Sequence, residues 1–208
     1  MYYAFEGCSN ILSITVPADL FAVSGLSDLN PKDLHLTFGN SSDKAISSLK
    51  SNLQELIIAD DAISSISYGA FKNCSKLTSV TLPFVGKTKN GTSNTYFGFV
   101  FGANSVLENA KYIPSSLTNL TITGGNIYSQ AFGYIYQTVN IYLNGVTRIE
   151  SNAFLDAVGL SFIRLSKSIQ SIGAEAFSGC SSLYSLRYDG TIEDWFNLEK
   201  DANWLLGS

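Results

Sequence analysis

The chain is poor in the residues that do chemistry. One histidine and three cysteines occur in 208 residues, and only 14% of the side chains are charged. A lone histidine leaves no Cys–His pair and no plausible zinc ligand set, so metal hydrolysis and thiol nucleophiles are disfavoured. The formal charge of -4 and a pI near 4.9 provide no clustered Lys or Arg to attract nucleic acid or anionic lipid headgroups. No apolar run approaches the roughly 18–20 residues that cross a bilayer, and the first residues lack the charged and apolar regions of a signal peptide.

The remaining candidates for chemistry read as ordinary structure. His35 alternates with Leu34, Leu36 and Phe38, which makes it a solvent-facing strand residue. The pairs Asp60-Asp61 and Glu193-Asp194 are adjacent in sequence, so on a strand they face opposite ways, and they read as solubilising charges. Gly124-Gly125 and Gly98-Phe99-Val100-Phe101-Gly102 lack the Lys-Ser/Thr of a phosphate loop and the G-x-G-x-x-G spacing, so turn geometry accounts for them. The expectation is no catalytic residue, no cofactor and no metal.

Hydrophobic residues are plentiful, at 45%, and they recur in a pattern. Ala-Phe occurs at Ala4-Phe5, Ala70-Phe71, Ala131-Phe132, Ala153-Phe154 and Ala176-Phe177. Each Phe is followed at +6, +9 and +11 by a similar series, for example Leu77, Val80, Leu82 and Leu160, Ile163, Leu165, and only Thr138 and Tyr188 depart from aliphatic character. Ile66, Ile127, Ile149 and Ile172 each lie five residues before a repeat Phe. The unit I-x-x-I-x4-F-x5-L-x2-I-x-L ends with the period-2 alternation of a short strand, and its Ala-Phe segment suits a tight turn or short helix with the ring inward.

Two more strands, through Leu53, Leu56, Ile58 and through Leu117, Leu120, Ile122, lack the Ala-Phe mark, and a weaker one runs through Leu36 and Phe38. Final strand positions fall at 16, 38, 58, 82, 122, 143, 165 and 188, so six of the seven steps are 20–24 residues long. That period lies in the leucine-rich-repeat range, where no unit buries its apolar face alone and stacking builds a continuous core. The long step carries an insertion over 84–112, with a polar start, Gly86 to Thr92, and an aromatic centre, Tyr96 to Phe101. Local packing is favoured there over a dedicated ligand site.

Ile172-Gly173-Ala174-Glu175-Ala176-Phe177-Ser178-Gly179-Cys180-Ser181-Ser182-Leu183 and Tyr68-Gly69-Ala70-Phe71-Lys72-Asn73-Cys74-Ser75-Lys76-Leu77 carry a family resemblance, as does the ending Tyr188-Asp189-Gly190-Thr191-Ile192-Glu193-Asp194-Trp195. The chain resembles the BspA-like leucine-rich repeats of bacterial surface proteins over nearly its whole length. The resemblance implies an α/β repeat fold: a right-handed solenoid of about eight turns, with short strands on one face and short helices or turns on the other. It also implies a cell-surface or secreted binding or adhesion module with a protein or glycan partner on a host or neighbouring cell. A passive spacer or scaffold within a larger surface protein is the alternative.

In this register residues 1–189 form the solenoid, starting in mid-repeat, and 190–208, with Trp195, Phe196, Leu198, Trp204, Leu205 and Leu206, form a C-terminal cap. Cys8, Cys74 and Cys180 each fall three residues after a repeat Phe, a core position. At about 4.8 Å per rung they stand roughly 14 and 19 Å apart, beyond the ~7 Å Cα limit of a disulfide, which leaves three buried thiols. Asn40, Asn73, Asn90 and Asn119 head glycosylation sequons that matter only if the source is eukaryotic.

The outward strand positions alternate with the buried ones. One row reads Thr15, Thr37, Ile57, Thr81, Thr121, Tyr142, Arg164 and Arg187, and the row beside it includes His35, Glu55, Asn119, Asn140 and Phe162. Toward the C-terminus Tyr142, Phe162, Arg164 and Arg187 are expected to cluster, and aromatic residues and Arg are the types enriched at protein-interface hot spots. They are the candidate binding residues. Ordinary cross-strand packing is the competing explanation.

The register makes a direct prediction. Phe154→Ala is expected to cost about 3–5 kcal/mol as loss of a buried ring, and Arg164→Ala to stay within about 0.5 kcal/mol. Denaturant midpoints measure both, and similar midpoints for the two variants would contradict the register.

Overall fold

The structure, a computed structural model, describes residues 10–16, 52–58 and 63–208. The Ala4-Phe5 turn, Cys8, the strand expected through Leu36 and Phe38 with His35 and Thr37, Asn40 and the Asp60-Asp61 pair lie outside the described residues.

Ten strands are described: β1 Ser13–Val16, β2 Glu55–Ile58, β3 Ser79–Leu82, β4 Asn119–Ile122, β5 Val139–Leu143, β6 Arg148–Ile149, β7 Leu160–Leu165, β8 Ser171–Ile172, β9 Ser185–Tyr188 and β10 Glu199–Lys200. The longer ones form a seven-stranded sheet in the order β1-β2-β3-β4-β5-β7-β9, every pair parallel. Sequence-ordered parallel strands with a crossing segment between each pair are the architecture that a 20–24-residue period implies. The second sheet, β6, β8 and β10, was not anticipated from the repeat pattern; it is also parallel and is extended by a bridge from Ile127 to Ile149.

Register follows from burial. Ile14, Leu56, Val80, Leu120, Ile141, Ile163 and Leu186 face one another along the main sheet. All but Leu186 are buried, and Leu186, on the terminal strand, is only partly covered. A slip of one residue would turn these side chains to solvent, so the apolar face fixes the pairing.

Behind the sheet runs a column of rings. Phe132, Phe154 and Phe177 stack nearly parallel, with centroids 5.1 and 5.0 Å apart and interplanar angles of 13° and 9°. Phe97 continues the column from Phe132 at 5.5 Å, then Phe101 at 5.2 Å and Phe71 at 5.9 Å. At the other end Trp204 meets Phe177 edge-on at 5.9 Å. Spacing close to the interstrand distance lets each repeat ring stack on the next, and such pairs contribute about 0.5–1.5 kcal/mol beyond area burial.

The 84–112 insertion is therefore part of the column. β3 pairs directly with β4, so the long step adds no rung to the main sheet. On the opposite side the 3-10 turn Phe97–Phe101 stands between two repeat turns: Phe71 N–H donates to the Val100 carbonyl at 2.7 Å, and Phe97 N–H to that of Ala131 at 2.8 Å. Asn109, at 0% exposure at the start of the short helix α1 (Asn109–Tyr112), pins this turn. Its Oδ1 accepts from Gly98 N–H at 2.9 Å and its Nδ2 donates to the Gly133 carbonyl at 2.8 Å. A Cβ on Gly98 would come within 2.4 Å of that Oδ1, which is why glycine stands there.

Each of the four described Ala-Phe turns is bracketed by two left-handed residues. Around Phe71 they are Gly69 (φ 64) and Asn73 (φ 72); around Phe132, Gln130 (57) and Tyr134 (59); around Phe154, Asn152 (58) and Asp156 (52); around Phe177, Glu175 (52) and Gly179 (75). The reversal turns backbone groups toward the next repeat, where Phe132 N–H reaches the Ala153 carbonyl at 2.9 Å and Phe154 N–H that of Ala176 at 2.8 Å. Gln130, Tyr134 and Glu175 hold this conformation without the glycine or Asx chemistry that eases it, at about 1–2 kcal/mol each.

Gln130→Gly should therefore stabilise the protein by about 0.5–1 kcal/mol, after the greater entropy of unfolded glycine is allowed for, and raise Tm by roughly 1–4 °C. Thermal unfolding followed by circular dichroism measures it, and a lower Tm would contradict the turn geometry.

Candidate functional site

The outward face of the main sheet has two rows fixed by strand register. Ser13, Glu55, Ser79, Asn119, Asn140, Phe162 and Ser185 are partners along one, and Thr15, Ile57, Thr81, Thr121, Tyr142, Arg164 and Arg187 along the other. Small polar residues dominate the first four rungs. The last three carry Tyr142 on β5, Phe162 and Arg164 on β7, and Arg187 on β9, so the structure brings together all four candidate residues.

Their geometry is specific. The Tyr142 and Phe162 rings lie 5.6 Å apart at 50°, a diagonal cross-strand pair. A β-bulge between Val139/Asn140 and the facing Leu160/Phe162 leaves Ser161 as the extra residue and re-aims Phe162. The Ser161 side chain turns inward, at 7% exposure, and its one hydroxyl proton is shared between the Val139 carbonyl at 3.2 Å and Asn140 Oδ1 at 3.1 Å. Asn140 Nδ2 in turn reaches Asn119 Oδ1 at 3.5 Å. A line of amides and hydroxyls thus runs beside the ring pair.

Arg164 and Arg187 occupy the same register position on neighbouring strands, where two cations repel. Asp189 answers both. Arg164 Nε donates to its two carboxylate oxygens at 2.9 and 2.8 Å, and Arg187 Nε lies 3.7 Å from Oδ1. The Arg187 side chain is 67% exposed, against 42% for Arg164 and 22% for Asp189. Sequence reasoning missed Asp189 because it follows the last strand position and reads as part of the chain's closing motif. The available signal was the stacked Arg pair itself, which calls for a carboxylate within one rung.

Elsewhere the chemistry is quiet. Cys74 and Cys180 are buried thiols, and burial pushes the Cys180 pKa up to about 12. Its Sγ donates to the Phe154 carbonyl at 3.2 Å, so at neutral pH it is a core residue and no thiolate nucleophile. Asp194 lies in a capping box at the start of the helix α2 (Ile192–Asn197), where hydrogen bonds from Thr191 backbone and side chain hold its carboxyl below the usual range. Among the described residues no group of three or more His, Cys, Asp or Glu side chains is placed to hold a metal, and no helix is long and apolar enough to cross a membrane. A polar cleft of about 670 Å³ runs along the second sheet, lined by Arg148, Ser171 and Glu199 with Glu150 and Asp201.

At the C-terminal end Trp195 packs between Tyr188 at 5.3 Å and Trp204 at 5.8 Å, and Leu198 joins the core at 7% exposure. Lys200 stands at the register position filled by Ile172 on β8. Its stem continues the core row, while its ammonium donates to the Trp195 and Leu198 carbonyls and lies 4.7 Å from the Trp195 ring centroid.

The model of the BspA type leucine rich repeat region matches the chain in six copies, over residues 2–108 and 105–197. Among solved structures, the chain is similar to a leucine rich repeat protein of T. pallidum, with 19% identity, 89% of this chain and 60% of that one covered, and a TM-score of 0.34. It is also similar to a leucine rich cell surface protein from Faecalibacterium prausnitzii A2-165, with 17% identity, coverage of 96% and 65%, and a TM-score of 0.26. The chain thus spans 60% and 65% of the length of these two proteins. No curated protein matches it.

Proposed function

The chain belongs to the BspA-type leucine-rich-repeat family, and from that premise we propose that it is a binding or adhesion module, on a cell surface or secreted, that presents the C-terminal part of its strand face to a protein or glycan partner on a host or neighbouring cell. Tyr142, Phe162, Arg164 and Arg187 are the contact residues. In the same reading residues 190–208 cap the solenoid, and nothing in its action calls for a catalytic step.

One observation carries the proposal. On a face whose other rungs carry mainly Ser, Thr and Asn, with Glu55 and Ile57 on β2, adjacent rungs place an aromatic pair beside two guanidinium groups, and an Asp holds one of them in position. Rings and Arg side chains fixed before a partner arrives lose little entropy on binding, which is what makes such residues hot spots. The Arg164–Asp189 pair also favours a second reading, a passive spacer, because the same contacts link β7 to the end of β9 with no ligand present.

Binding of the intact chain to extracellular-matrix proteins and a glycan array, beside a Phe162→Ala, Arg164→Ala, Arg187→Ala variant, separates the two. The module reading predicts a bound partner and a loss of affinity of at least about thirty-fold in the variant, with Tm nearly unchanged. Binding that survives the variant moves the site elsewhere on the chain, and binding by neither protein favours the spacer.

A further inference from the structure

We propose that the ligand of the Tyr142–Phe162–Arg187 face is a carboxylated sugar, such as a sialic or uronic acid at the end of a glycan. The inference rests on the binding-face reading above and adds the chemistry of the ligand.

The first part is charge. Arg164, Arg187 and Asp189 together leave a net charge of +1 on a chain whose total is -4. The surplus resides on Arg187, because Arg164 already directs its Nε to both oxygens of Asp189, whereas Arg187 touches one of them only at 3.7 Å and is 67% exposed. An exposed guanidinium held near a carboxylate at one edge keeps its other N–H groups for a bidentate anion, and a carboxylate fits that fork.

The second part is shape. Tyr142 and Phe162 are half-buried rings side by side on an open face, 5.6 Å apart. The electron-rich face of such a ring attracts the polarised C–H groups on one side of a sugar. Phe162 is the register partner of Ser185, so Arg187 is its diagonal neighbour, about 7–8 Å away at Cα and within reach of an acid group on the stacked sugar.

The third part is the border. Asn119, Asn140, Thr121 and Ser185 surround the rings, and the Asn140 amide, tied to Ser161 and Asn119, is held in place to meet hydroxyl groups. A peptide anchored through a large apolar side chain needs a desolvated pocket. A sugar acid needs a ring face, ordered amides and one cation, and the tilted Tyr142–Phe162 pair, Asn140 and Arg187 are that set.

The test titrates the intact chain, by chemical-shift perturbation of the Arg Nε–H and backbone amide signals, with a trisaccharide ending in N-acetylneuraminic acid on lactose, with lactose alone, and with a Phe- and Glu-containing peptide of equal charge. The expected result is binding of the acidic trisaccharide at least ten-fold tighter than lactose, with shifts centred on residues 140–142, 162 and 187. Arg187→Ala should abolish that preference, Tyr142→Ala should weaken both sugars, and added salt should weaken only the acidic one. Equal binding of lactose, or binding of the peptide alone at the same residues, overturns the sugar-acid proposal and leaves the binding face standing. No shift at the face with any probe also overturns it, and the matrix-protein and array experiment then decides on the face itself. Unchanged Tm in both variants separates lost recognition from lost folding.

Discussion

No rung of this molecule can bury its own apolar surface, and the stacking of one rung on the next is the interaction on which everything else depends. A repeat contributes a four- to six-residue strand, one ring and a few aliphatic side chains, too little to form a core. The core exists because Phe132, Phe154 and Phe177 stack at close to the interstrand spacing while Leu120, Ile141 and Ile163 meet on the other side. The same constraint explains the exceptions. Where the Ala-Phe mark is missing, Phe97 and Phe101 fill the column, and where the strands end, Trp204 and the Lys200 stem meet the last rung.

Periodicity made much of this legible. The Phe positions and the strand series at +6, +9 and +11 yield the strands and their register, because burial leaves the pairing no alternative. The second sheet was not legible, since two-residue strands such as Arg148–Ile149 carry no alternation to detect. Nor were the left-handed positions at Gln130, Tyr134 and Glu175, where residues of no special turn propensity are held by the surrounding hydrogen bonds. The 84–112 segment reads as an insertion in sequence because its two rings are spaced by four residues and lack the Ala-Phe mark, although it occupies a repeat's place in the ring column.

The candidate face divides the same way. Alternation alone brings Tyr142, Phe162, Arg164 and Arg187 to one side, because the side-chain period of a strand is two. It does not reveal Asp189, which changes Arg164 from an exposed cation into half of an ion pair and leaves Arg187 as the exposed one. It does not reveal the bulge at Ser161 either, since an extra residue in one strand is visible only against its partner. A solenoid thus sets where residues project, and the irregularities of individual rungs set what they present. Family membership fixes the scaffold, and the chemistry of the last three rungs carries the functional reading.

Native-state amide hydrogen exchange tests the central claim most directly, because Phe132, Phe154 and Phe177 each donate their backbone N–H to the next turn along the ring column. If ring stacking organises the molecule, these three amides exchange together, at the free energy of global unfolding and far more slowly than those of the exposed loop around Asn90. Exchange of the three at loop-like rates, with strand amides such as Ile141 and Ile163 still protected, would show that the sheet stands without the column and would contradict the account.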